Sequence, residues 1–122
     1  MSARRVLTVD DSRTMRNMVA FTLRNAGYAV EEAQDGAEAI KALQIGNYDL
    51  VITDLNMPTM DGLALVRAMR ATPRNRATPI LILTTEADAD KKAAGRAAGA
   101  TGWLVKPFNP QRLIEITAKV CA

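Results

Sequence analysis

The chain has 122 residues, close to the commonest size of a single domain, and its 48% apolar and 24% charged residues suffice for a core and a soluble surface. It has no histidine and one cysteine, Cys121, which excludes disulfides, Cys/His zinc centres and Cys/His catalysis and leaves carboxylates, hydroxyls, Lys and Arg to do any chemistry. The net charge of +3 is spread over nearly every segment. The densest group, Arg67, Arg70, Arg74 and Arg76, has no aromatic among it and reads as solvated helix face and loop, so DNA is not an expected partner.

The first predicted strand, Val6–Val9, ends at Asp10-Asp11 and is far too short for a signal core or a spanning helix. A cytoplasmic location away from any membrane is expected. Met15, Met18, Val19, Thr22, Leu23 and Ala26 recur at spacings of three and four, the apolar face of a helix that Gly27 stops. Tyr28–Ala33 reads as a second strand, ending in an ordinary turn at Glu32-Ala33-Gln34. Asp35 is placed to cap a helix over Gly36–Ile45, with Gly46 as its stop. The third strand, Leu50–Thr53, runs into Asp54, and Asp61 caps a helix over Gly62–Arg70 that runs out at Ala71-Thr72-Pro73. Ile80–Leu83 forms the fourth strand, followed by Thr84-Thr85 and a helix over Asp88–Ala98 that Gly99 ends. Gly102–Val105 is the fifth strand, ending in Lys106-Pro107. Asn109-Pro110, a cap with proline in the first turn, opens the last helix, about 110–121.

Five β-α units in strict alternation predict an α/β fold: a doubly wound parallel sheet with helices on both faces. The wholly apolar strands Leu50–Ile52 and Ile80–Leu83 belong at its centre, where both faces are buried. Residues 1–122 read as one domain with no segment left for an output domain.

Ligands of such sheets bind at the carboxyl ends of the strands. Four of the five strands deliver an acid, a hydroxyl or an amine there: Asp10-Asp11, Asp54, Thr84-Thr85 and Lys106. Carboxylates about 5 Å apart repel by roughly 3 kcal/mol per pair at an effective dielectric of ~20, and one Lys offsets only part of that. Hard oxygen ligands beside a phosphate suit Mg²⁺, and acids, a hydroxyl and a Lys around that ion make a phosphoryl-transfer site.

Val9-Asp10-Asp11-Ser12, the run Thr53-Asp54-Leu55-Asn56-Met57-Pro58-Thr59-Met60-Asp61-Gly62, Leu83-Thr84 and Val105-Lys106-Pro107-Phe108 together resemble the signature of response-regulator receiver domains. The likeness spans the chain, and within the family it is greatest to the stand-alone chemotaxis regulators. It implies a flavodoxin-like (βα)5 sheet of strand order 2-1-3-4-5. It also implies that Asp54 accepts a phosphoryl group from a histidine kinase, with Mg²⁺ held by Asp11, Asp54 and the backbone carbonyl of Asn56, and by Asp10 mainly through water. Thr84 and Lys106 would each hold a phosphoryl oxygen, and the Lys106-Pro107 bond would be cis. Thr84 and Trp103 would be the switch pair, Trp103 standing where the family has Tyr or Phe and turning inward on phosphorylation, its indole N–H needing a partner if buried. Asn56 and Glu86 would line the route of the water that hydrolyses the aspartyl phosphate.

The implied partners are a chemotaxis kinase and an effector such as a flagellar motor switch protein, met by the surface around Trp103 and the fourth helix, with the protein a monomer and not a classical enzyme. The same fold allows a phosphate sink or a phosphorelay intermediate. A haloacid-dehalogenase-type phosphatase would want an Asp at position 56, where Asn56 stands, and a flavodoxin would want a hydroxyl- and glycine-rich loop where Asp10-Asp11 stand. Gly95, Gly99 and Gly102 close a helix, unlike a dinucleotide fingerprint, which opens one.

Overall fold

The structure, a computed structural model, describes residues 3–121. Its strands are β1 (Arg5–Val9), β2 (Ala29–Ala33), β3 (Leu50–Thr53), β4 (Ile80–Thr84) and β5 (Gly102–Val105). They alternate with helices α1 (Arg13–Asn25), α2 (Gly36–Ile45), α3 (Gly62–Arg70), α4 (Ala89–Ala98) and α5 (Pro110–Val120). All pairings are parallel and the order is β2-β1-β3-β4-β5, as expected.

Helix starts follow from side chains that satisfy free N–H groups. Asp35 accepts from the Glu38 N–H, Asp61 from Ala64, Asp88 from Asp90 and Lys91, and Asn109 from Arg112. Ser12 does the same for Met15, which starts α1 at Arg13, ahead of the apolar stripe that announced it.

Each inner strand is apolar on both faces because the sheet is covered twice. Val6, Leu50, Ile52, Leu81 and Leu83 pack with Val19, Ala20 and Leu23 of α1 and Leu113 of α5. On the other face Leu7, Val9, Val51 and Ile80 meet Ala39 and Leu43 of α2 and Leu65, Val66 and Met69 of α3. The register sets Val9 beside Thr53 and Ile82 beside Trp103, so the polar strand ends converge on one edge.

Arg67, Arg74 and Arg76 are exposed, as the solvated reading has it, but Arg70 is half-buried and both Arg70 and Arg74 have structural partners. A 3₁₀ turn at Pro73–Asn75 buries Asn75, and Arg70 donates to the carbonyls of Asn75 (2.8 Å) and Gly99 (3.0 Å). Arg74 donates to the carbonyls of Leu43 (3.3 Å) and Gln44 (2.6 Å) and to Asn47 Oδ1 (2.9 Å). Both guanidinium groups therefore close the carbonyl ends of other helices, Arg70 that of α4 and Arg74 that of α2, where the dipole favours a cation.

Candidate functional site

The edge formed by the ends of β1, β3, β4 and β5 gathers the polar residues. Carboxylate oxygens of Asp10, Asp11 and Asp54 lie within 4.8 Å of one another. Lys106 reaches in from the end of β5, its Nζ 2.7 Å from Asp10 Oδ2 and 3.4 Å from Asp54 Oδ2, with a side chain only 9% exposed. The Lys106-Pro107 bond is cis.

Asp10 is held on every side. Its N–H donates to the Ala33 carbonyl, its Oδ1 accepts from the Ser12 N–H (2.9 Å), and its Oδ2 accepts from Lys106. Burial pushes its carboxyl above the ordinary carboxylate range, against the pull of Lys106 and the Ser12 N–H. Asp11 is exposed. Asp54 sits at the bottom, its N–H donating to the Val9 carbonyl and its Oδ1 accepting from the Leu55 N–H (2.7 Å).

The turn after Asp54 is built to let α3 start against it. The Gly62 N–H bonds the Leu55 carbonyl at 2.8 Å, and a Cβ at position 62 would fall 2.3 Å from the Asp54 carbonyl oxygen. Only glycine fits that approach. Between them, Asn56 is exposed, and Thr59 takes φ 70° in a tight turn closed by the Met60 N–H on the Pro58 carbonyl (2.7 Å). A branched residue held there costs roughly 1–3 kcal/mol, a strain that the surrounding loop contacts must hold.

The other side of the site is a chain of contacts. Buried Thr84 accepts the Glu86 N–H at 3.4 Å through Oγ1. The Glu86 carbonyl accepts the indole N–H of half-buried Trp103 at 3.0 Å, which supplies the partner that burial of this ring requires. The Glu86 carboxylate pairs with Lys91 (3.2 Å). The indole lies on Gly95 of α4, where a Cβ would come within 2.9 Å of its Cζ3.

Two residues beside the site were given no role there by the sequence alone. Arg16, on α1, donates from Nη1 to the Asp10 carbonyl at 2.7 Å, and its Nε lies 3.5 Å from Glu32 Oε1. The end of β2 is therefore no ordinary turn: Glu32 is an ion-pair partner of both Arg16 and Arg24. Only the pairing of β2 with β1, Thr8 beside Glu32, brings it there.

Three acids and one ammonium leave the pocket short of positive charge, and the donors are all hard oxygens. At separations near 5 Å each carboxylate pair repels by roughly 3 kcal/mol at an effective dielectric of ~20. That set fits Mg²⁺, which takes one or two carboxylates and keeps several waters.

A family description for the response regulator receiver domain matches residues 6–118, and the chain belongs to that family of phosphoacceptor signalling proteins. It is 42% identical over 117 residues to the chemotaxis protein CheY of Pseudomonas aeruginosa, covering 95% of this chain and 94% of that one. The structure matches that of the chemotaxis protein CheY4 of Vibrio cholerae with a TM-score of 0.94 at 50% identity, over 98% of this chain and 99% of the other. It also matches, with a TM-score of 0.91 at 28% identity and 98% coverage of each chain, the receiver domain of the sensor histidine kinase PA1611 of Pseudomonas aeruginosa, solved with a magnesium ion coordinated in its active site cleft. As a CheY-like receiver domain the chain acts between a histidine kinase and a downstream effector. Among the described residues no helix is long and apolar enough to cross a membrane.

Proposed function

We propose that the chain is a stand-alone response regulator of a chemotaxis system, a single receiver domain that takes a phosphoryl group onto Asp54. The observation that carries this is the convergence of Asp10, Asp11 and Asp54 within 4.8 Å around one buried Lys106. The oxygen of Asp54 attacks phosphorus in line, the P–N bond to the kinase histidine breaks, and the imidazole leaves with the bond electrons.

Asp11, Asp54 and the Asn56 carbonyl would hold Mg²⁺ directly. Asp10, whose two carboxylate oxygens already accept from Ser12 and Lys106, would contribute through water. When bound, the ion neutralises the carboxylates and the charge developing on the phosphoryl oxygens. Lys106 leaves Asp54 for one of those oxygens, and the Thr84 hydroxyl takes another.

Thr84 then gives up the Glu86 N–H, and Glu86 is tied to Trp103. The phosphoryl group thereby favours one arrangement of the β4–α4 loop over another, and the effector reads it on the surface of α4 and Trp103. A flagellar motor switch protein is the effector that the likeness to CheY suggests. Hydrolysis resets the switch, the water approaching past Asn56 and Glu86. The likeness to a sensor-kinase receiver favours a second reading, a phosphorelay intermediate or phosphate sink, which a pulldown of the motor switch protein with and without beryllofluoride separates from the first. The phosphoacceptor itself is tested by Asp54→Asn, which abolishes labelling by acetyl phosphate. A variant that labels at the wild-type rate refutes the assignment.

A further inference from the structure

Arg16 is an expensive residue to place where it stands. Its side chain is only 14% exposed, one turn into α1 and directly behind a cluster short of positive charge. Its Nη1 spends a hydrogen bond of 2.7 Å on one acceptor, the backbone carbonyl of Asp10. That carbonyl belongs to the peptide unit joining Asp10 to Asp11. Fixing it fixes the plane from which both carboxylates spring, and Asp11, exposed, has no other anchor among the described hydrogen bonds.

A guanidinium this close to a cation site has a second effect, repulsion of the ion. Glu32 pairs with the same guanidinium, its side chain 27% exposed and its Oε1 3.5 Å from Nε, and cancels much of that charge. The pair thus combines a rigid donor with a neutralised field, the arrangement by which residues behind a metal site orient its ligands.

We propose that Arg16 is a positioning residue for the metal: it locks the Asp10-Asp11 peptide plane so that Asp11 meets Mg²⁺ preorganised, while Glu32 removes the penalty of its charge. This rests on the Mg²⁺ reading above. Tether and field predict opposite signs, which makes the idea decidable. If Arg16 acted only through its charge, removing it would tighten cation binding beside three carboxylates. As a tether, its removal weakens binding.

The experiment is a titration of the full chain with MgCl₂, followed by backbone amide NMR shifts, for wild type and for Arg16→Met, Arg16→Lys and Glu32→Gln. Methionine keeps the packing of the arginine stem and loses the donor and the charge, so the fold persists, which the amide spectrum verifies. Arg16→Met is expected to bind Mg²⁺ about ten-fold more weakly, the usual scale for removing such a supporting partner. Arg16→Lys, with a donor and the charge, recovers part of the loss, and Glu32→Gln shows a smaller loss that fades with added NaCl. A folded Arg16→Met that binds MgCl₂ as tightly as wild type, or more tightly, overturns the inference and leaves the phosphoacceptor reading intact. A wild type that shows no saturable shift with MgCl₂ overturns both.

Discussion

Helices α3 and α4 follow neighbouring strands and approach the same edge of the sheet, yet they are anchored in different ways. α3 begins in contact with the Asp54 carbonyl through Gly62 and buries Leu65, Val66 and Met69 completely or nearly so. α4 is rich in alanine and buries only Gly95. It is held at its ends by the Asp88 cap and by Gly99 with Arg70 on its carbonyl, and within the helix by the Trp103 indole on Gly95. Asp54 is therefore set by the core, whereas Thr84 and Glu86 are joined to a helix with little apolar surface to release if it moves. The switch proposed above would need that asymmetry, because the contacts of one phosphoryl group supply a few kcal/mol at most and would have to leave the Asp54 side in place.

The comparison breaks most easily on core truncation. Leu65→Ala is expected to cost about 3 kcal/mol in urea denaturation, the ordinary loss for a fully buried leucine. No residue of α4 offers a comparable loss: Arg96→Ala, on its exposed side, should stay within about 0.5 kcal/mol. Hydrogen exchange sharpens the point. Amides of α4 should exchange by local opening, well below the global stability, while those of α3 near Leu65 exchange only with global unfolding. Equal protection in both helices would remove the asymmetry.

A smaller effect separates function from folding in the acid half. Without metal, Asp11→Ala relieves repulsion with Asp10 and Asp54 and removes no hydrogen bond among those described, so stability should rise by about 1 kcal/mol for this exposed group. Mg²⁺ binding should be lost at the same time. A marked destabilisation would make Asp11 a structural residue instead.

The sequence was readable where the information is local. Asp35, Asp61 and Asn109 announced their helices because a cap needs only an acceptor three residues before an N–H, whereas Asp88, read as the first residue of its helix, is the cap of α4. The site was readable because parallel strands bring their carboxyl ends to one edge, whatever the loops do. What escaped depends on contacts across the fold. Arg74 caps a helix 30 residues earlier, Arg70 one 29 residues later, and no periodicity encodes either pairing. Arg16 and Glu32 escaped for the same reason: their meeting depends on how α1 lies against the end of β2. The turn at Pro73–Asn75 lay in a stretch whose composition reads equally well as loop.

The Gly95–Trp103 contact permits the finest test of how α4 is seated. Glycine inside an exposed helix costs about 1 kcal/mol relative to alanine, so Gly95→Ala taken alone should stabilise α4 by that amount. Its Cβ, however, would lie 2.9 Å from Trp103 Cζ3 and 3.2 Å from Ile82 Cδ1, closer than van der Waals contact allows. Ile82 is fully buried and has nowhere to go, whereas the indole is half-buried and pivots on one hydrogen bond to Glu86. The ring should therefore yield, losing the Glu86 carbonyl and part of its burial. The helix gain and the lost hydrogen bond, each about 1 kcal/mol, nearly offset, so urea midpoints should barely change. Trp103 emission should shift to the red, and acrylamide should quench it more strongly. Because Trp103 is the single tryptophan, the signal has no second source. A variant stabilised by the full helix increment with unaltered quenching would mean that α4 lifts from the sheet instead and that the indole, not the helix, is the fixed element.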